Sequence, residues 1–289
     1  MKKTMLSAAV MAATVAMAIE SQNVVGYTAQ QTPANTFMLC STPFEAVGGE
    51  GVDLNKVYSG ISAVDIDWEL EEYTEFCNRA PQMQIWNGTG YDFAYYVSNA
   101  WFDNGTEDGA FAEGWCDGSG MLYVGANSYV VTPGYSFWVR YTLDDEKNLL
   151  ASGQVKSEAS TSVECTEPSR FMLLGNPYAV ATKLNDDKVL TVSGLTAVDI
   201  DWELEEYTEF CNRAPQMQIW NGTGYDFAYF VSNAWYDNGT EDGAFAQGWC
   251  DGSGMLLVGD AEYSIGMGYG FWVKPITSAC TFTFKSPIK

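Results

Sequence analysis

Residues 63 to 122 recur at 197 to 256, an offset of 134 positions, with 57 of 60 residues identical. Whatever fold this chain adopts must therefore house the same 60-residue segment twice. The three differences are Tyr96 against Phe230, Phe102 against Tyr236, and Glu113 against Gln247. The match extends beyond the block without a gap, since Phe37-Met38-Leu39 answers Phe171-Met172-Leu173 and Phe137-Trp138-Val139 answers Phe271-Trp272-Val273. Identity outside the block drops to 7 of 26 over 37–62 against 171–196. So abrupt an edge points to recent recombination, and the near-identity of the block does not mark its residues as functional. A period of this length is far too long for a solenoid unit or propeller blade and long enough for each copy to bury its own core. The predicted organisation is a leader over 1–18, one copy over 19–152 and a second over 153–289.

The leader is read from two lysines followed by a short Ala, Val and Met run ending in Ala16-Met17-Ala18, the small-x-small pattern of a signal peptidase site. Export to the periplasm, cell surface or medium is the expectation, with no membrane span in the mature chain because no later apolar run is long enough. The chain has 37 acidic and 14 basic residues and a formal net charge of −23. A field of that sign repels phosphate backbones and anionic lipid, which argues against nucleic acid as a partner. There is no histidine. Its absence removes the commonest general base and transition-metal ligand, which excludes Ser-His-Asp, Cys-His and His-based zinc chemistry.

The local signals are those of β-structure. Val64, Ile66, Trp68 and Leu70 alternate with Asp65, Asp67, Glu69 and Glu71, the period of a strand with one dry face. Asn87-Gly88-Thr89-Gly90 between 83–86 and 91–97 predicts a hairpin. Further strands are expected at 37–41, 121–124, 128–131 and 135–142, with counterparts in the second copy. Short helical turns are expected from Asp53 to Tyr58 and from Asp186 to Leu190. The copies should join near 151–154, and 157–166 reads as a linker or, preferably, an edge strand. The predicted class is all-β, two tandem β-sandwich or barrel-like modules.

Seven cysteines in an exported chain read first as disulfide candidates. Cys77 and Cys116 recur as Cys211 and Cys250, giving one bridge per copy, and Cys165 with Cys280 would tie the ends of the second copy together. The ungapped offset puts Gln31 and Glu146 at their places in the first copy. Cys40 is left over as a buried core thiol.

Asn23-Val24-Val25-Gly26-Tyr27 after the leader, Phe37-Met38-Leu39 with Pro43, Ile85-Trp86-Asn87-Gly88-Thr89-Gly90-Tyr91, and Pro133-Gly134-Tyr135-Ser136-Phe137-Trp138-Val139 resemble a large group of exported all-β repeat proteins of planctomycete and verrucomicrobial bacteria. The second copy repeats most of this pattern but has Met267 in place of the proline and lacks the opening Val-Val-Gly-Tyr. The resemblance implies compact all-β modules outside the cytoplasm. It carries no reaction and no ligand.

Three constellations are candidates for function. The acidic row Asp65, Asp67 and Glu69, repeated at Asp199, Asp201 and Glu203, reads either as a solvated strand face or as oxygen ligands for calcium, the one cofactor the sequence suggests. The loop 103–109 departs from the EF-hand pattern, with Asp108 where that loop needs glycine. The aromatic hairpin residues Trp86, Tyr91, Phe93, Tyr95 and Trp101, repeated at Trp220, Tyr225, Phe227, Tyr229 and Trp235, read either as core or as a sugar-stacking platform. Paired carboxylates could hydrolyse a glycosidic bond, but no pair stands out and two tandem active sites are unusual. The expected role is a non-catalytic surface or envelope interaction protein, with a tandem carbohydrate-binding protein as the alternative and a carboxylate glycoside hydrolase behind both. The expected partner is a surface protein or a polysaccharide.

Overall fold

A computed structural model of the chain describes residues 25–46, 52–69, 73–87, 90–203, 209–257 and 263–287. The expected leader at 1–18, Leu70, Glu71 and Glu72 lie outside the described residues.

Each copy forms a five-stranded antiparallel sheet. In the first, the spatial order is Thr36–Ser41, Ser136–Tyr141, Gln82–Trp86, Tyr91–Phe102 and Ala110–Cys116. In the second it is Met172–Gly175, Gly270–Lys274, Gln216–Trp220, Tyr225–Tyr236 and Ala244–Cys250. The predicted hairpin is closed by the Asn87 side chain, whose Oδ1 accepts the Gly90 N–H at 2.9 Å. The same register irregularity interrupts the long strand of each sheet, between Val97 and Ala100 and between Val231 and Ala234.

A smaller antiparallel sheet faces each large one. Val25–Thr32 pairs with Lys147–Val155, which also holds Phe44–Glu45 and Tyr58–Ser59. In the second copy Ser160–Cys165 and Leu190–Ser193 flank Cys280–Lys285. Period-two alternation sends Met38, Met83, Ile85, Phe137 and Val139 inward against Leu149 and Ala151, with Trp115 fully buried at the centre. The second core repeats the layer with Met217, Ile219, Phe271, Val273 and Trp249 against Phe282 and Phe284. Both copies are thus two-layer β-sandwiches.

Several expectations are corrected. The alternating segment from Val64 is not a strand: only Val64 bridges to Val97, and Trp68 is exposed. The cause is Asn99, whose side-chain amide accepts the Ile66 N–H and donates to the Ile66 carbonyl, both at 2.8 Å, in place of a neighbouring strand. Asn233 does the same for Ile200. The helix at Tyr73–Arg79 is an addition to the expected elements; it buries Phe76 against Tyr95, rings 5.7 Å apart. Leu54–Val57 is the expected short helix, with Asp53 capping the Asn55 N–H at 3.0 Å. Asp186 to Leu190 makes only one turn, because Leu190 is already taken by the ladder to Phe284. The expected strand at 121–124 reduces to bridges at Met121 and Leu122. The segment 157–166 contains the preferred edge strand, Ser160–Cys165, and the preceding strand runs on to Val155.

The ungapped alignment also fails locally. Val52 opposite Val131 corresponds to Thr182 opposite Ile265, so the offset there is 130 on one strand and 134 on the other. Asn55 and Asn185 bear this out: each side-chain amide bridges the tryptophan carbonyl of one strand and the carbonyl at 123 or 257.

The two copies meet isologously. Ser41 N–H donates to Gly268 O at 2.7 Å, and the equivalent Gly175 N–H donates to Gly134 O at 2.9 Å. The isolated bridges Cys40 to Tyr269 and Leu174 to Tyr135 are likewise a symmetric pair. Each copy therefore presents the same patch to the other about a local two-fold axis. Leu39, Leu173 and Trp220 are buried in this seam, with Trp86, Trp138, Tyr225 and Trp272 packed around them.

Candidate functional site

The hairpin aromatics do not form one platform. Trp86, Tyr91 and Phe93 share a face by register with Trp86 opposite Tyr91 and Gln84 opposite Phe93. That face is divided along its length. Trp86 and Tyr91, with Trp220 and Tyr225, are drawn into the seam, where Trp138 lies 6.1 Å from Trp220 and 6.5 Å from Tyr225, edge to face. Burial raises the Tyr91 and Tyr225 hydroxyl pKa values, partly offset by hydrogen bonds to Trp138 and Trp272. Tyr95 and Tyr229 are buried further along, under Phe76 and Phe210. Burial beside Cys77 pushes Tyr95 up to about 12. Only Phe93 and Phe227 remain exposed. A cavity of about 360 Å³ opens beside the seam between Trp86, Asn87, Tyr129, Tyr135 and Met172.

The open aromatic surface lies elsewhere. Trp68 is 36% exposed and Phe111 55%, with ring centroids 5.6 Å apart and planes at 52°. Trp101 stands directly across from Phe111, and exposed Met121 bridges to Trp101. Both indoles are held in place by their own N–H groups: Trp68 Nε1 donates to Asn99 O at 3.2 Å and Trp101 Nε1 to Asp108 O at 3.3 Å. Gly120, at φ +81°, lets the Trp68 ring lie against the backbone; a Cβ there would sit 2.5 Å from the ring edge. The result is a preorganised shelf whose indole N–H groups are satisfied internally and which leaves Phe111 and part of Trp68 open to solvent.

The second copy repeats the shelf. Trp202 and Phe245 lie 5.7 Å apart at 53°, Trp202 Nε1 donates to Asn233 O and Trp235 Nε1 to Asp242 O, both at 3.3 Å, and Gly254 takes the place of Gly120. Of these residues the sequence points only to Trp101 and Trp235. Reading 64–70 as a strand misplaces Trp68 by turning it inward. Phe111 carries a usable signal, because the period of Ala110–Cys116 puts it on the wet face with Glu113.

The acidic row does not assemble. Asp65 Oδ1 accepts from Ser98 Oγ at 2.7 Å, and Asp67 Oδ1 accepts the Glu69 N–H at 3.1 Å. Asp199 and Asp201 repeat both contacts, the latter with Glu203. Among the described residues no three Asp, Glu, Cys or His side chains converge as a metal would require. Asp117, beside the shelf, accepts from the Ser119 and Met121 N–H groups at 2.8 and 3.0 Å. Those carboxylates act as turn caps.

All seven cysteines are present as thiols, so none of the three expected bridges is formed in this structure. Cys77 faces the Gly118 carbonyl at 4.0 Å while Cys116 donates to the Tyr95 carbonyl at 3.4 Å, and burial raises the pKa of both. Cys40 is fully buried in the first core, and burial raises its thiol pKa strongly. Among the described residues no helix is long and apolar enough to cross a membrane. No family model, curated protein or solved structure matches this chain.

Proposed function

We propose that this chain is an exported, non-catalytic binding protein that holds a neutral polysaccharide through two matching aromatic shelves, one in each copy. The observation that carries this reading is the exposed Trp68–Phe111 pair, its indole held by one internal hydrogen bond, repeated as Trp202–Phe245. The exposed part of this pair, chiefly Phe111, gains nothing from burial, whereas sugar C–H faces pack on such rings. The net charge of −23 disfavours anionic polymers. Two sites on one chain suit a repeating polymer, since the second contact is made at high effective concentration.

The test is affinity electrophoresis of the chain without residues 1–18 through gels cast with neutral polysaccharides. Trp68→Ala and Trp202→Ala should each weaken binding by roughly 3- to 10-fold, on the order of 0.5–1.5 kcal/mol per stacked ring, and the double variant should run as though the gel held no polysaccharide. A calcium chelator should change nothing, because the nearby carboxylates are already held by backbone N–H groups. Retention unaffected by the double variant refutes the shelves. The buried seam between copies favours one second reading, a surface or envelope scaffold that docks a protein partner; failure of every neutral polysaccharide to retard the chain would direct attention there.

A further inference from the structure

The inner rung that closes the small sheet of the second copy is made of two cysteines. Cys165, the last residue of Ser160–Cys165, stands directly opposite Cys280, the first residue of Cys280–Lys285. Directly opposed residues of an antiparallel pair have Cα atoms about 4.5–5.5 Å apart, inside the roughly 4.4–6.8 Å span that a disulfide bridges without moving the backbone. Both side chains point into the core, at 0% and 3% exposure, beside Phe282 and Val163.

The first copy shows what this rung does. The alternation of buried and exposed positions makes Thr32 opposite Lys147 its equivalent, not the outward-facing Gln31 and Glu146 that the ungapped offset selects. There Thr32 Oγ1 donates to the Lys147 carbonyl at 2.9 Å, and Gln31 Nε2 reinforces it from outside with a 2.7 Å bond to Glu146. That edge strand is paired over eight positions, while its counterpart in the second copy is paired over six. The shorter strand has two sulfurs where the longer one has a polar clasp.

We propose that Cys165 and Cys280 are an oxidisable clasp, closed as a cross-strand disulfide by exchange with a small-molecule disulfide. The Cys280 thiolate attacks one sulfur of that oxidant, forming a mixed disulfide and expelling one thiolate. The Cys165 thiolate then attacks the Cys280 sulfur and expels the second, so that two cysteine thiols are oxidised as one disulfide is reduced to two thiols.

The test is to unfold the full chain, refold it in oxidised and reduced glutathione, block remaining thiols by alkylation and map the peptides by mass. The expected product joins the peptides carrying Cys165 and Cys280, with Cys40 alkylated. Its urea midpoint should exceed that of the same protein refolded with reductant, and the difference should vanish in Cys280→Ala. Recovery of both cysteines in alkylated form, or of either one joined to Cys211 or Cys250, overturns the proposal. The wild-type comparison with and without reductant stands even where the alanine variant folds poorly.

Discussion

Gly175→Ser puts a side chain where the two copies touch at their local axis. Its backbone is not in the left-handed region, so space alone decides the outcome. An added Cβ would lie 2.5 Å from Ser41 Cβ, 2.9 Å from Ser136 Oγ and 2.9 Å from the Tyr135 carbonyl, against an ordinary carbon separation of about 3.5–4.0 Å. Overpacking of this kind costs about 1–3 kcal/mol, and strain on the Gly175–Gly134 hydrogen bond adds up to about 1 kcal/mol. Ser41 is the equivalent residue, and its hydroxyl donates to Tyr269 O at 3.0 Å. Ser41→Gly alone should therefore cost about 1–2 kcal/mol, from one hydrogen bond and the added freedom of a strand glycine. The double variant exchanges the two residues across the axis. It removes the contact with Ser41 Cβ, the shortest of the three, and leaves those with Ser136 Oγ and the Tyr135 carbonyl to be relieved by small shifts. The double should be more stable than the sum of the singles by about 1–2 kcal/mol, within the range of contacting pairs. Equilibrium unfolding in urea, followed by tryptophan fluorescence, measures all three. Strict additivity would show that the seam is not the symmetric contact described.

Two further outcomes follow from single side chains. Asn55 makes three bonds, donating to Trp115 O and Tyr123 O at 3.1 and 3.0 Å and accepting the Trp115 N–H at 2.6 Å; Asn55→Ala should cost about 2–4 kcal/mol in urea unfolding by leaving these strand groups unsatisfied. Asp145 accepts from the Tyr141 hydroxyl at 2.6 Å and lies 3.1 Å from Lys147 Nζ, which lowers its pKa from 3.8 to about 2. A lowered carboxyl pKa stabilises the fold fully above its ordinary value and loses that contribution as pH falls toward about 2. Asp145→Asn should accordingly flatten this part of the acid limb when the thermal midpoint is followed from pH 5 to pH 2.

The large sheets are legible in the sequence because their strands carry both a turn signal and a clean period. Asn87-Gly88 and the alternation of Met83 and Ile85 with Gln82 and Gln84 leave one register for that hairpin. Val64 to Glu69 has the same period and is not a strand, since the Asn99 amide fills the place of a neighbouring backbone and nothing in the segment's own sequence records that partner 33 positions away. The helix at Tyr73–Arg79 is hidden because, among its described side chains, Phe76 alone is fully buried. For the candidate site the difficulty is different. Trp86 and Trp68 look alike as letters; the docking of one copy on the other draws Trp86 into a seam, and the Asn99 amide that holds its segment leaves Trp68 on a shelf.

The division of the sequence into identical and divergent parts maps onto these two surfaces. The shelf residues Trp68, Trp101, Phe111 and Met121 all lie within 63–122 and have unchanged counterparts, so the two shelves are chemically the same. The axial positions of the seam lie outside that block and differ, with Ser41 facing Gly175 and Ser136 facing Gly270. In a homodimer an isologous contact must be self-complementary, and a residue on the axis meets its own copy, so two serines would collide there. Joining the copies in one chain removes that constraint. A side chain on one half can fill the space left by a glycine on the other, and Ser41 and Ser136 do so while bonding the Tyr269 and Leu174 carbonyls. The seam is thereby specified for this one pairing, in which the aromatic hairpins are drawn inward and the two shelves are left on the outer surface.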